Sequence, residues 1–282
     1  MFGRLGACLV WLLILASGNA SAQRLQSVQG PGIERPDPYQ VEWRTLRFQD
    51  YTLEEVNEFD GWSTSLDVAH PVGNHSALRL HMPLYSSGEA TLVKPASDQQ
   101  ELKNSRIRIR GYSGVFDFYT LYYQNHKYSS DKNGFDLSWF AGAGDRVNNL
   151  ETTHGDRFNH QGRIVHVGVN YARKHIDTGG TLFAGIGHRQ YLMSDDLNPA
   201  DTGDGFFHFD LNVGYQSGQR GRLSYSLEGL YQGDLTHYHG LYLTPSLNLR
   251  LRSGLEWKLS AQIGFGDHST GPNLFSWLAW SP

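Results

Sequence analysis

The sequence is almost without cysteine, with a single one among its 282 residues. This scarcity excludes a disulfide-stabilised scaffold and a zinc site built from several thiolates. Long uncharged apolar runs are also missing after residue 22, and the mean hydropathy is only -0.46. The chain is therefore not a bundle of membrane helices. A formal net charge of -4 gives no electrostatic reason to expect nucleic acid as a partner.

Aromatic residues and glycine are abundant instead. Aromatics make up 13% of the chain, and glycine contributes 32 residues, more than its usual share of about 7%. So high an aromatic content excludes a disordered chain, which would be poor in such residues. The composition that remains is typical of a β-rich chain with one large domain.

The first 22 residues have the pattern of a secretory signal peptide. Arg4 precedes an apolar stretch from Leu5 to Ala16, and small residues follow as far as Ala22. A positive residue, a short apolar core and an A-x-A site predict cleavage after Ala22. The alternative is a membrane anchor, but the apolar core is shorter than the roughly 20 residues of a spanning helix. The single cysteine, Cys8, lies in this segment, so we expect the mature chain to lack cysteine.

Beyond this segment, apolar and polar residues alternate over long stretches. The pattern is clearest in four consecutive segments, at 206–216, 222–232, 240–252 and 255–265. Strands of soluble proteins average about five or six residues, whereas a strand tilted across a bilayer needs about 9–11. Tyr215, Tyr231 and Trp257 lie where the aromatic girdles of a membrane barrel are expected. The pattern therefore predicts transmembrane β-strands, with a secreted β-sandwich as the alternative.

The signal segment, the alternating strands from 204 to 265 and the aromatic terminal segment Asn273–Trp280 occur together in this chain. In this combination it resembles Gram-negative outer-membrane β-barrel proteins as a class. The resemblance implies a bacterial outer-membrane location after cleavage near Ala22. It also implies outer-membrane lipids, lipopolysaccharide and the barrel assembly machinery as partners. That machinery commonly reads a terminal aromatic residue, and here Trp280 is followed by Ser281 and Pro282.

Weaker alternation adds further candidate strands at 62–70, 75–85, 104–112, 114–127, 134–143, 161–172, 179–192 and 273–280. The prediction is an all-β fold, a transmembrane antiparallel β-barrel of about twelve strands, within a range of roughly 10–14. The expected organisation is a signal peptide at 1–22, an N-terminal periplasmic tail or lumen plug at 23–60, and the barrel at 61–282.

Connection lengths test this strand count, because periplasmic turns are short and outer loops are long. The second half of the chain fits, with long connections at 144–160 and 193–203 on the outside. The first half does not fit, because the count places the short connection 71–74 on the outer side of the membrane and the long connection 86–103 on the periplasmic side. We therefore expect one strand to be missed or misdrawn there.

Alternation also predicts which residues line the lumen, since a charge on the lipid face near the midplane costs about 2–4 kcal/mol. The residues expected to line the lumen and set its selectivity are Arg106, Arg108, Arg110, Asp210, Glu228, Arg250, Arg252 and Lys258. The first three form a column that would make one wall electropositive, as in anion pores. The other interpretation is a narrow lumen sealed by paired charges.

The predicted function is a narrow, porin-like pore or export conduit for small polar or anionic solutes. One alternative is a sealed structural or partner-binding barrel, whose outer loops bind a partner. Another is a barrel enzyme acting on envelope lipids, with the candidates His126, Ser129, His237, His239, His268 and Ser269. No G-x-S-x-G motif is present, so an enzyme is disfavoured and no catalytic residue is assigned. No histidine spacing matches a metal site, and neither a metal nor another cofactor is expected.

Overall fold

A computed structural model gives the fold of the protein. It describes residues 40–51, 56–73, 75–92, 106–111, 119–128, 135–152, 157–175, 179–193, 207–218, 220–233, 239–252, 254–265 and 273–280. The expected signal peptide at residues 1–22 lies outside these ranges. Within them there is no helix long and apolar enough to cross a bilayer.

The described residues are almost entirely β-strand. In chain order the strands are β1 (Gln40–Tyr51), β2 (Val56–Pro71), β3 (Ser76–Leu92), β4 (Arg106–Gly111), β5 (Tyr119–Tyr128), β6 (Phe135–Thr152), β7 (Arg157–Lys174), β8 (Thr181–Met193), β9 (Phe207–Gln216), β10 (Leu223–Gly233), β11 (His239–Arg252), β12 (Leu255–Phe265) and β13 (Asn273–Trp280). The four segments with the clearest alternation correspond to β9 to β12, because that pattern marks both the strand and its ends.

The strands close into a barrel in which every pairing is antiparallel. β1 pairs with β2 on one side and with β13 on the other, so the first and last strands of the described chain complete the ring. β4 pairs with residues 86–91 of β3, whereas β5 pairs with residues 76–81 of the same strand. These two strands therefore share one position, and the thirteen strands make a twelve-stranded barrel. The predicted transmembrane-type antiparallel β-barrel fold is confirmed.

The strand total agrees with the prediction because two differences cancel. Residues 40–51, which the sequence pattern assigns to a tail or plug, form β1 in the wall, and the described wall begins at Gln40 instead of residue 61. Conversely, the segments 104–112 and 114–127 are counted as two strands in the prediction, but they correspond to β4 and β5, which together occupy one strand position in the barrel. The alternation of β1 is obscured because both of its faces carry charged or polar residues.

Adding β1 also resolves the mismatch in connection lengths. We call the end of the barrel at Gln40 and Trp280 the terminal end, and the opposite one the loop end. The short connection after β2 now falls at the terminal end, and the long one between β3 and β4 falls at the loop end. Two other terminal-end turns contain Gly221 and Gly254, whose φ angles of 65° and 72° suit glycine.

The two faces of the wall differ as the alternation predicts. Large apolar side chains on the outer face are exposed, among them Trp43, Leu121, Val165, Ile186, Val213, Leu227 and Leu278. The alternate residues face the lumen and are mostly buried. Many of them are polar, but apolar clusters also form there, such as Phe275 with Trp277. The barrel therefore turns an apolar surface outward and encloses a polar, largely filled interior.

Candidate functional site in the barrel lumen

The first lumenal cluster joins β1, β2 and β3. The register places Glu42 opposite Asp67, and Asp67 opposite His81, so these side chains form one row. Arg44 Nη2 lies 2.6 Å from Glu42 Oε2, and Arg44 Nε lies 3.2 Å from Asp67 Oδ2. His81 Nδ1 is 3.0 Å from the same Asp67 oxygen. A single buried arginine thus connects two carboxylates, and His81 is a second partner of Asp67.

A second cluster surrounds Asp210 on β9. Arg189 Nε from β8 lies 2.7 Å from Asp210 Oδ2, and Gln232 Nε2 from β10 donates a 3.0 Å hydrogen bond to Asp210 Oδ1. His166 Nε2 on β7 is 3.7 Å from the same carboxylate, and its Nδ1 is 3.4 Å from the hydroxyl of Tyr122. Arg189, His166 and Gln232 are among the most deeply buried side chains. This cluster joins side chains of the adjacent strands β7 to β10, and Tyr122 of β5, along the inner wall.

A third group lies on β9, β10, β12 and β13. Asn212 Nδ2 donates a 2.9 Å hydrogen bond to Glu228 Oε1. Lys258 Nζ lies 5.1 Å from the centroid of the Trp277 ring, which is directly opposite it in the register. The inward positions of Asp210, Glu228 and Lys258 are those that the alternation predicts. Each of these three side chains therefore has a partner that stabilises its charge: Arg189 for Asp210, the Asn212 amide for Glu228 and the Trp277 ring for Lys258.

Arg250 and Arg252 do not share one environment, although the alternation places them on the same face. Arg250 Nη2 lies 3.1 Å from Glu256 Oε1, in an exposed pair near the terminal end. The register shifts between these two arginines, and Arg252 lies opposite Leu255 instead of continuing the row of Arg250. The bulge adds one residue to β11 and thereby moves Arg252 out of the alternation. Arg252 is exposed beside the turn.

The arginine column predicted at 106–110 lies on β4, at the loop end. Arg110 and Arg108 are opposite Ser87 and Glu89 of β3, whereas the buried Ser86 is opposite Gly111. Arg108 also lies opposite Glu151 of β6. The side chains of Arg106, Arg108 and Arg110 lie outside what the structure describes, so their lumenal column stays a prediction.

The structure describes no side chain among the residues considered for catalysis, so their arrangement stays untested. His126 lies on β5 and His239 begins β11, and the structure does not describe their side chains. The remaining candidates lie outside the described residues: Ser129, His237, His268 and Ser269. Among the described residues no group of three His, Cys, Asp or Glu side chains is placed to hold a metal ion.

Several lumenal residues escape the sequence reasoning. Glu42 and Arg44 alternate within a segment assigned to a tail or plug, so their part in the lumen depends on recognising β1. Arg189 follows Gly185 and Gly187 on the inward face of a predicted strand, and that alternation was a sufficient signal for its direction. His166 has the same signal, since it alternates with Val165 and Val167 on β7. The alternation gives the direction of a side chain, but it does not show which charges on neighbouring strands meet.

The fold defines a class, the outer-membrane type of β-barrel, and known structures share it. The translocator domain of the autotransporter NalP from Neisseria meningitidis has a TM-score of 0.62 at 9% identity, covering 90% of this chain and 92% of that one. An outer-membrane channel from Pseudomonas putida F1 has a TM-score of 0.54 at 10% identity, covering 88% and 96%.

The transport unit of the autotransporter AIDA-I from Escherichia coli is a third example, with a TM-score of 0.51 at 10% identity, covering 92% of each chain. At such low identities these similarities establish the fold alone. No protein-family model matches the chain, and no curated protein sequence matches it.

Proposed function

We propose that this protein is an outer-membrane channel that passes small polar solutes through a constricted lumen. The observation that carries the proposal is the row of paired charges and hydrogen-bonded polar groups that lines the inner wall. Buried ion pairs are costly to desolvate, and apolar residues of similar volume often replace them without loss of stability. Paired charges alone also suit a sealed lumen, but the polar groups beside them give hydrated solutes hydrogen-bond partners along a path, and the current recordings described below separate the two.

The proposal includes the location and the processing of the chain. The exposed apolar belt suits a bilayer, and the N-terminal segment that ends at Ala22 suits export followed by cleavage. Outer-membrane lipids, lipopolysaccharide and the assembly machinery are the partners that this location implies. The NalP and AIDA-I structures are translocator or transport units, so an export conduit is the related second function.

The lumen carries both signs of charge, so we propose little preference between anions and cations. Asp67, Asp210 and Glu228 face it together with Arg44, Arg189 and Lys258. The tight burial of Arg189 and Tyr122 implies a small conductance.

Planar-bilayer recording tests this function directly. Purified, folded protein is expected to give discrete current steps, smaller than those of a sixteen-stranded porin, with a reversal potential near zero in a potassium chloride gradient. The variant Tyr122→Ala removes a buried inward ring and is expected to enlarge the steps. The matched control is Tyr123→Ala, since Tyr123 is the next residue and its side chain is 38% exposed on the outer face.

A folded protein that gives no current at any voltage would contradict the channel and favour the sealed structural or partner-binding barrel. Equal effects of the two tyrosine variants would show that the current does not pass the lumenal ring of Tyr122.

A further inference from the structure

Three neutral polar side chains form a row on the inner wall near the loop end. Gln262 on β12 is directly opposite Asn273 on β13. The pairs Leu243 with Ile263 and Ser246 with Ser260 bring Thr244 of β11 level with Gln262. The relative exposures of Thr244, Gln262 and Asn273 are 1%, 1% and 0%. We call these three residues the polar row.

The polar row contains buried atoms without hydrogen-bond partners in the protein. Four side-chain atoms have no hydrogen-bond partner among the described residues. They are Nδ2 and Oδ1 of Asn273, Oε1 of Gln262 and Oγ1 of Thr244. Buried polar groups are nearly always hydrogen-bonded, to protein or to water, and each exception needs a specific explanation. Three such residues on neighbouring strands, all facing the lumen, leave a group of hydrogen-bonding atoms open to water or to a solute.

Aromatic side chains lie beside the polar row. Phe275 is two residues beyond Asn273 on the same face of β13, and its ring centroid is 5.6 Å from that of Trp277. The pairing of Arg47 with Leu274 brings the buried Phe48 of β1 level with Asn273. An apolar ring surface therefore adjoins the unpaired amides.

The chemistry of this arrangement selects a class of solute. The unpartnered atoms of the polar row are one amide NH2 group, two amide oxygens and a hydroxyl, and none of its members carries a full charge. A solute with many hydroxyl groups both donates and accepts at such a wall, and the C–H face of a sugar ring packs against aromatic side chains. An ion would gain little from neutral groups. We propose that the polar row binds a neutral, polyhydroxylated solute of the sugar class, an inference that rests on the proposed channel function.

Block of the ionic current by maltotriose tests the inference on the full-length, folded protein. The wild-type current is expected to fall saturably as maltotriose is added. Gln262→Leu and Asn273→Leu should each raise the half-blocking concentration by about tenfold, because each removes hydrogen-bonding groups from the bound sugar. Thr244→Val has nearly the same shape as the native residue and should shift the concentration in the same direction. Thr45→Val on the outer face is the matched control and should leave it unchanged.

The outcomes separate this inference from the channel function. A current that is not blocked, or is blocked equally in all variants, overturns the sugar site and leaves the channel intact. If no current is found, the channel proposal fails, and a maltotriose titration followed by tryptophan fluorescence decides the site. A fluorescence change that saturates with maltotriose, and that needs more maltotriose in Asn273→Leu, supports the sugar site. A fluorescence signal that does not change with maltotriose overturns the sugar site. Retained heat-modifiable migration on a gel shows that each variant is folded.

Discussion

Two arginine–aspartate pairs in this protein have similar distances and very different surroundings. Arg189 lies 2.7 Å from Asp210 in the lumen, and their side chains are 2% and 13% exposed. Arg163 lies 3.0 Å from Asp145 on the outer face, with exposures of 76% and 67%. Solvent screens the second pair, whereas removal of one partner of the first leaves a charge without compensation. Burial and not distance therefore decides what each pair contributes to stability.

We expect Arg189→Met to lower the free energy of unfolding by about 3–5 kcal/mol, because it leaves Asp210 buried without its cation. Arg163→Met should change it by about 0–1 kcal/mol. Urea-dependent folding into phospholipid vesicles, followed by tryptophan fluorescence, measures both.

The double variant Arg189→Met with Asp210→Asn provides the internal control. It removes the orphaned charge and should recover much of the lost stability. Equal losses for the two single arginine variants would refute the assignment of Arg189 to a buried pair.

The strands differ in how clearly their residues specify a direction. In β9, Leu211, Val213 and Tyr215 alternate with Asp210, Asn212 and Gly214, so the membrane face is evident from the sequence. In β1, Glu42 and Arg44 face inward while Thr45 and Arg47 lie on the other face, so neither face looks apolar. Such a strand is recognised only through its pairing with its neighbours.

Val213→Arg tests the lipid-facing side of β9. Val213 is 63% exposed on the outer face, and a charge near the bilayer midplane costs about 2–4 kcal/mol of folding free energy. Val72→Arg is the matched control, because Val72 lies in the turn after β2 at the terminal end. Its effect should be near zero. The comparison requires the same vesicle titration for both, and indistinguishable losses would argue against a bilayer boundary at β9.

Closure of the barrel depends on the pairing of its first and last strands. Seven residue pairs, from Val41 with Trp280 to Arg47 with Leu274, join β1 to β13. This ladder leaves neither strand with a free edge, which a membrane barrel cannot tolerate because lipid offers no hydrogen-bond partners. An all-antiparallel ring needs an even number of strand positions, and the shared position of β4 and β5 supplies it.

A disulfide between β1 and β13 tests this closure. Thr45 is opposite Ser276, and directly opposite residues in an antiparallel pair are close enough for a disulfide. In a Cys8→Ser background, Thr45→Cys with Ser276→Cys should cross-link on oxidation and migrate differently on a non-reducing gel. Thr45→Cys with Ala279→Cys, which is out of register and on the opposite face, should not cross-link. Efficient cross-linking of the second pair alone would require a different register.

Much of the architecture follows from the order of residues along the chain. Alternation in β9 to β12 specifies long strands, their ends and their inward faces, because a period of two is a local property of each strand. The lumenal positions of Asp210, Glu228 and Lys258 follow from the same rule. The class of fold follows from the length of these strands together with the aromatic residues at their ends.

Other features depend on contacts between residues far apart in the chain. The membership of β1 in the wall, the shared position of β4 and β5, and the shift of Arg252 by a bulge all arise from strand pairing. The meeting of Arg189 with Asp210, and the alignment of Gln262 with Asn273, arise from it as well. A local pattern sets the direction of a side chain, but the register between strands sets its neighbours, since sliding one strand past another changes every partner.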